Sequence, residues 1–171
     1  MEAVGYDTYC KLLEEAVRKL KGEPVQEELE TTVDLNVDAY IPETYIKNHN
    51  QRIEIYKKIA AIENLQDAYD VEEEIEDRYG DLPQSVRNLL DIALIKSLGN
   101  DMKISEITQK GNNVLIQFYD AKQVDMNAII HITNQFNGNI LFTASDRPYL
   151  TYKHKNGSNI EMVKNIKTML Q

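Results

Sequence analysis

The apolar pattern changes period at Gly99, and that change constrains the fold more than any other feature of the chain. Before it, apolar residues recur at spacings of three and four, the mark of helices with one buried face. Tyr6, Cys10, Leu13, Val17 and Leu20 form a first stripe, closed by Gly22 and Pro24. A Glu-rich stretch to Thr31 follows, then Thr32–Val37 alternates with period two and reads as a short strand or extended arm. Pro42 suits a first helical position. Asn48 with Gln51 has capping-box spacing ahead of a stripe of Ile53, Tyr56, Ile59 and Ala60. A third stripe joins Leu65, Ala68, Tyr69, Glu72, Ile75 and Tyr79, and Gly80 ends it. Pro83 opens a fourth with Val86, Leu89, Leu90, Ala93, Leu94 and Leu98, and Gly99 is its expected stop.

After Gly99 the chain reads as strands and two helices. Met102–Thr108 and Val114–Tyr119 flank Lys110-Gly111-Asn112-Asn113, a hairpin signal. A helix is expected over Asp125–Gln135, strands over Asn139–Thr143 and Tyr149–Lys153, and a last helix after Asn156-Gly157-Ser158. The expectation is an α+β fold, with a helical N-terminal half and an antiparallel sheet in ββαββα order covered by helices.

Composition narrows the function classes. The chain is 42% hydrophobic and 27% charged, with 28 acids against 19 bases and a net charge of −9. Such acidity makes a poor default binder of duplex phosphates, where Lys and Arg supply the affinity. No apolar run approaches the roughly 20 residues of a membrane span. Met1–Gly5 lacks the basic and apolar regions of a secretory signal. A single cysteine, Cys10, makes no internal disulfide and fits a reducing cytoplasm, the expected location. It reads as a buried inert thiol.

Catalytic signals are missing from the sequence. It contains no GxxxxGK[ST], GxGxxG or GxSxG pattern. His49, His131 and His154 stand apart, without metal-ligand spacing. No catalytic residue, metal or cofactor is expected, and the chain reads as a binding or structural module.

Charge is concentrated instead. Residues 61–91 carry ten acids and only Arg78 and Arg87 as bases. On a helical wheel Asp70, Glu73, Glu74 and Asp77 fall opposite Leu65, Ala68 and Ile75, with Glu74 spaced to pair with Arg78. These five residues, Asp70, Glu73, Glu74, Asp77 and Arg78, form the candidate protein-interaction face. Such a face either keeps the protein solvated or docks a basic partner. At the other end Lys153, Lys155, Lys164 and Lys167 form a weak basic cluster, read as a solvated terminal helix.

Several blocks go further. Glu2–Ala16 (EAVGYDTYCKLLEEA) resembles a segment near the C-terminal end of the bacterial transcription-repair coupling factors. Val33-Asp34-Leu35, Asp38–Pro42 with Tyr45-Ile46, then Arg52 and Ile55–Lys57 are similar to the next parts of that family. Asp77-Arg78-Tyr79-Gly80-Asp81-Leu82-Pro83, with Val86, Leu89 and Leu90, resembles a further block. The blocks run in family order over about residues 2–95.

The resemblance implies a piece of a longer ATP-driven double-stranded-DNA translocase, one that displaces stalled RNA polymerase and recruits nucleotide excision repair. Residues 1–22 would link from a motor domain absent here, 23–31 would be a polar linker, and 32–171 the regulatory C-terminal domain. In the family that domain packs on the N-terminal domain of the same protein and covers the surface that recruits the damage-recognition ATPase. RNA polymerase is an indirect partner. ATPase activity does not carry over, since the motor motifs are missing, and neither a membrane nor direct nucleic-acid binding is expected. The alternative is an independent nucleic-acid-binding or small-ligand-sensing module, with Phe118, Tyr119, Phe142, Tyr149 and Tyr152 as candidate stacking residues.

Overall fold

A computed structural model describes Leu12, Leu13, Ala16, Val17, Leu20 and residues 30–171 except Asn137 and Asn156. Strand β1 (Thr32–Asp34) is followed by helices α1 (His49–Ala60), α2 (Leu65–Tyr79) and α3 (Gln84–Asp101). The hairpin β2 (Ile104–Lys110) and β3 (Asn113–Phe118) comes next, then a 3-10 turn (Ala121–Gln123) and α4 (Met126–Gln135). Strands β4 (Ile140–Thr143) and β5 (Tyr149–Lys153) and helix α5 (Asn159–Leu170) complete the chain. The expected α+β class with its ββαββα half is what forms.

Within the span read from sequence as one domain, the chain divides into two compact units. The helical unit takes in residues 38–94 and the described residues of the first twenty; the sheet unit takes in 30–37 and 95–171. Leu12, Leu13, Ala16, Val17 and Leu20 are helical, as the first stripe requires, with Leu12 and Leu20 exposed. Tyr6 and Cys10 lie outside the described residues.

The sheet has the order β1-β2-β3-β5-β4. Its last four strands are antiparallel, whereas β1 pairs parallel with β2, Val33 opposite Ile107. A parallel pair cannot be closed by a tight turn. The crossover here is the long segment that carries α1, α2 and α3. Gly111, at φ 62°, takes the first position of the two-residue hairpin loop, where a positive φ is required. Ile107, Val114, Ile116, Phe118, Leu150, Tyr152 and Ile140 line one face and form a single core with Ile129 and Ile132 of α4. Met162, Val163, Ile166, Met169 and Leu170 of α5 close that core. Each such side chain contributes about 1.5–3 kcal/mol of transfer free energy.

Three local expectations change. Pro42 begins a single turn, its carbonyl accepting from Tyr45 and Ile46 N–H (both 3.1 Å), and the helix waits for the Asn48 cap. On α2 the buried stripe narrows to Ala68 and Ile75; Tyr69 is 56% exposed and Leu65 also faces solvent. Gly99 does not stop α3, which runs to Asp101, and Lys103 makes the turn at φ 61°.

Gly99 has a steric role instead. Thr31, 1% exposed, donates its N–H to Asn100 Oδ1 (2.7 Å) and its hydroxyl to the Ile104 carbonyl (2.7 Å). A Cβ on Gly99 would lie 2.8 Å from Thr31 Oγ1 and 2.9 Å from its Cγ2. Alanine gains up to about 1 kcal/mol of helix propensity, but overpacking costs about 1–3 and moving Thr31 strands a buried carbonyl for about 1–3 more. Gly99→Ala is therefore expected to lower denaturant stability. The loss should shrink when measured in a Thr31→Ala background, and full additivity of the two changes would contradict the contact.

Candidate protein-interaction face

Helix α2 begins where Asn64 accepts from the Asp67 N–H (2.9 Å) and Asp67 Oδ2 accepts from the Glu63 N–H (3.0 Å). It ends at Gly80, at φ 88°, whose N–H reaches the Glu76 carbonyl (2.9 Å). Between these caps Asp70, Glu73 and Asp77 are exposed, Glu74 is half-buried, and Arg78 is exposed. The wheel thus places the acids away from Ala68 and Ile75 as expected.

Their bonding divides them into two sets. Glu74 does not pair with Arg78; it accepts from Lys58 Nζ of α1 (2.5 Å). Lys58 also lies 3.7 Å from Glu54, and Arg78 lies 3.7 Å from the same Glu54 while its guanidinium sits over the Tyr79 ring (5.1 Å). The i+4 spacing admitted a Glu74–Arg78 pair, but α1 packs alongside and offers each residue a partner on the neighbouring helix. The hydrogen bond from Lys58 to Glu74 is the chief cause that raises the Lys58 pKa. These solvent-screened pairs orient the two helices more than they stabilise them.

Glu73 and Asp77 have no side-chain partner among the described residues, and Asp70 accepts only from Gln66 Nε2 (2.9 Å). Glu72, beside them, accepts from Arg87 Nη1 (2.8 Å). Uncompensated charge therefore collects at Asp70, Glu73 and Asp77, with the exposed Tyr69 next to it. Residues 38–94 carry thirteen acids against six bases, whereas 30–37 with 95–171 carry eight against nine. Most of the net charge thus lies in the sequence of the helical unit. Among the described residues no group of three His, Cys, Asp or Glu is placed to hold a metal ion. No helix is long and apolar enough to cross a membrane.

The other candidates take different places. Phe118 and Tyr152 are buried in the sheet core, Phe142 packs against it, and the Tyr119 hydroxyl donates to the Glu30 carbonyl (2.7 Å). Of the five proposed stacking residues, only Tyr149 projects from the sheet on the side away from the core, opposite Gln117. His131 is exposed. His154 is buried, Nδ1 meeting the Tyr152 hydroxyl (3.2 Å) and Nε2 the Ser158 carbonyl (3.1 Å), a structural role invisible in its isolated sequence position.

The sequence pattern of the TRCF domain family matches residues 35–129. The chain belongs to the transcription-repair coupling factor family. It is 38% identical over 147 residues to the transcription-repair-coupling factor of Staphylococcus aureus strain USA300, covering 85% of this chain and 12% of that protein. The Staphylococcus haemolyticus protein of the same name is 36% identical over 146 residues, again 12% of its length. This chain spans about an eighth of such relatives. A solved C-terminal domain of a transcription-repair coupling factor superposes with a TM-score of 0.76 at 27% identity, covering 84% of this chain and 92% of that one. The chain therefore corresponds to that C-terminal domain.

Tyr45 reports on the integrity of this helical unit. Its hydroxyl donates to the Gly80 carbonyl (2.6 Å), and its ring meets Tyr79 edge-on at 6.1 Å. Burial first, then the charges of Glu76 and Asp81, raise its pKa above 10.0. A phenol whose pKa is raised by folding adds stability that is full below the unfolded value near 10 and lost as pH climbs through the folded one. Between about pH 9 and 11, the wild type is expected to lose more stability than Tyr45→Phe. Equal losses, measured by denaturant titration at each pH, would contradict the assignment.

Proposed function

We propose that this domain regulates a coupling factor by docking its α2 acidic face onto a basic surface of the N-terminal region of the same protein. In the docked state it masks the surface that recruits the excision-repair damage-recognition ATPase. The observation that supports this most is the set of exposed carboxylates at Asp70, Glu73 and Asp77, held on one helix without a neutralising side chain. Acids left unpaired on a rigid helix steer a cationic surface into register and discriminate against anionic ones. Docking within one chain acts at high effective concentration, so a modest contact holds the closed state. The Glu74–Lys58 and Arg78–Glu54 pairs position α2 rather than meet the partner. The whole protein's translocation on DNA and displacement of RNA polymerase belong to its motor domains, and this domain governs access to the repair partner.

The division of the acids determines the test. Glu74→Lys would place two ammonium groups together and disturb α1, so it confounds docking with folding. Glu73→Lys with Asp77→Lys changes only solvent-facing groups. In the full-length protein this pair is expected to open the domain and raise affinity for the repair ATPase by about tenfold or more, since each rim charge reversal is worth up to about 1 kcal/mol. Unchanged affinity in a normally folded variant would show that the face is only solvated surface.

A further inference from the structure

Strand β4 is an edge of the sheet, and no described strand pairs with its outer side. The Lys153 N–H donates to the Asn139 carbonyl (2.8 Å), which fixes 139/153, 141/151 and 143/149 as the hydrogen-bonded pairs of this antiparallel ladder. Ile140 and Phe142 consequently direct their N–H and C=O groups outward, where no described residue meets them. Natural edges of this kind are usually blunted by charge, proline or a bulge. Ile140-Leu141-Phe142-Thr143 is short, at four residues, but carries none of these.

The surroundings share this character. Residues 126–145, which cover α4, the following turn and β4, contain no Asp, Glu, Lys or Arg, in a chain that is 27% charged. Three large apolar side chains in the segment are exposed: Leu141 at 61%, Ile130 at 55% and Met126 at 49%. Met126 and Ile130 lie one turn apart on α4, the helix packed on β4.

We propose that this edge pairs with the β4 edge of a second copy of the chain, antiparallel about a two-fold axis at Leu141. That register is self-complementary. Ile140 of one copy exchanges both backbone hydrogen bonds with Phe142 of the other, and the reverse, giving four bonds. Leu141 meets its own counterpart directly opposite at about 4.5–5.5 Å between Cβ atoms, the closest kind of cross-strand contact. Two chains of net charge −9 meet there through a segment that brings no like charges together. A strongly charged partner would find nothing to pair with, which favours the neutral, identical strand. The interface is small, so the dimer is weak and populated at high concentration.

Sedimentation equilibrium of the whole 171-residue chain, from about 5 µM to 1 mM, tests this. A monomer–dimer equilibrium is expected that added salt does not weaken, because no opposite charges pair across the edge. Leu141→Lys, a change at an exposed position, is expected to raise the dissociation constant about tenfold or more. In the wild type the Ile140 and Phe142 amides should exchange hydrogen about tenfold more slowly at the highest concentration than at the lowest. A chain that stays monomeric throughout overturns the proposal. So does a dimer that Leu141→Lys leaves intact, or one whose Ile140 and Phe142 amides exchange equally fast at both concentrations.

Discussion

The rest of the architecture depends on the clamp that holds Thr31 between the end of α3 and the start of β2. Its N–H and hydroxyl are both bonded in a site from which water is excluded, and Gly99 leaves the room it occupies. Glu30, one residue earlier, is tied by its carbonyl to Tyr119 and by its carboxylate to Lys96 (3.3 Å). These contacts place β1 beside β2 in the parallel sense. The chain must then leave the sheet and return from the other end, and the return segment is long enough to hold α1, α2 and most of α3. A parallel β1 requires a long connection, and the sequence of the helical unit lies within it.

That topology separates two kinds of chemistry along the chain. The sheet unit spends its apolar residues on one continuous core, and its acids and bases nearly cancel. The crossover is free to carry charge. Helix α2 buries only Ala68 and Ile75, and most of its remaining surface is acidic. The α1–α2 ion pairs consume Glu54 and Glu74, so the cations of this unit strengthen the helix pair without neutralising Asp70, Glu73 and Asp77. Lys58 and Arg78 are bound to the structural acids, and the exposed ones remain as long-range field.

The strands and the later helices are legible because their signals are local, the Gly111-Asn112 loop and the turn residues before the last helix; Asp125 and Ser158 cap the helices that follow them. The Asn48 cap was equally plain, its side chain accepting from the Gln51 N–H (3.0 Å). In sequence, a glycine at a helix end and a glycine under a crossing side chain look alike, and Gly99 is told apart only when Thr31, 68 positions earlier, is brought against it. The Tyr69 and Leu65 positions failed for a related reason: a wheel ranks residues by angle, whereas burial depends on how wide a neighbour covers the helix. The wheel puts Asp70, Glu73 and Asp77 on the side that is exposed, but the partner of Glu74 lies on another helix, beyond the reach of i+4 spacing. The charge-free segment at 126–145 was visible in the sequence, but only the strand order makes it an edge.

The most direct test of the account is a titration of this chain with the N-terminal region of a coupling factor, followed calorimetrically at two salt concentrations. If the α2 carboxylates are the contact, wild type binds and weakens as the salt is raised from about 50 to 300 mM, while Glu73→Lys with Asp77→Lys weakens binding about tenfold or more. Binding of equal strength in both proteins, indifferent to salt, would contradict it.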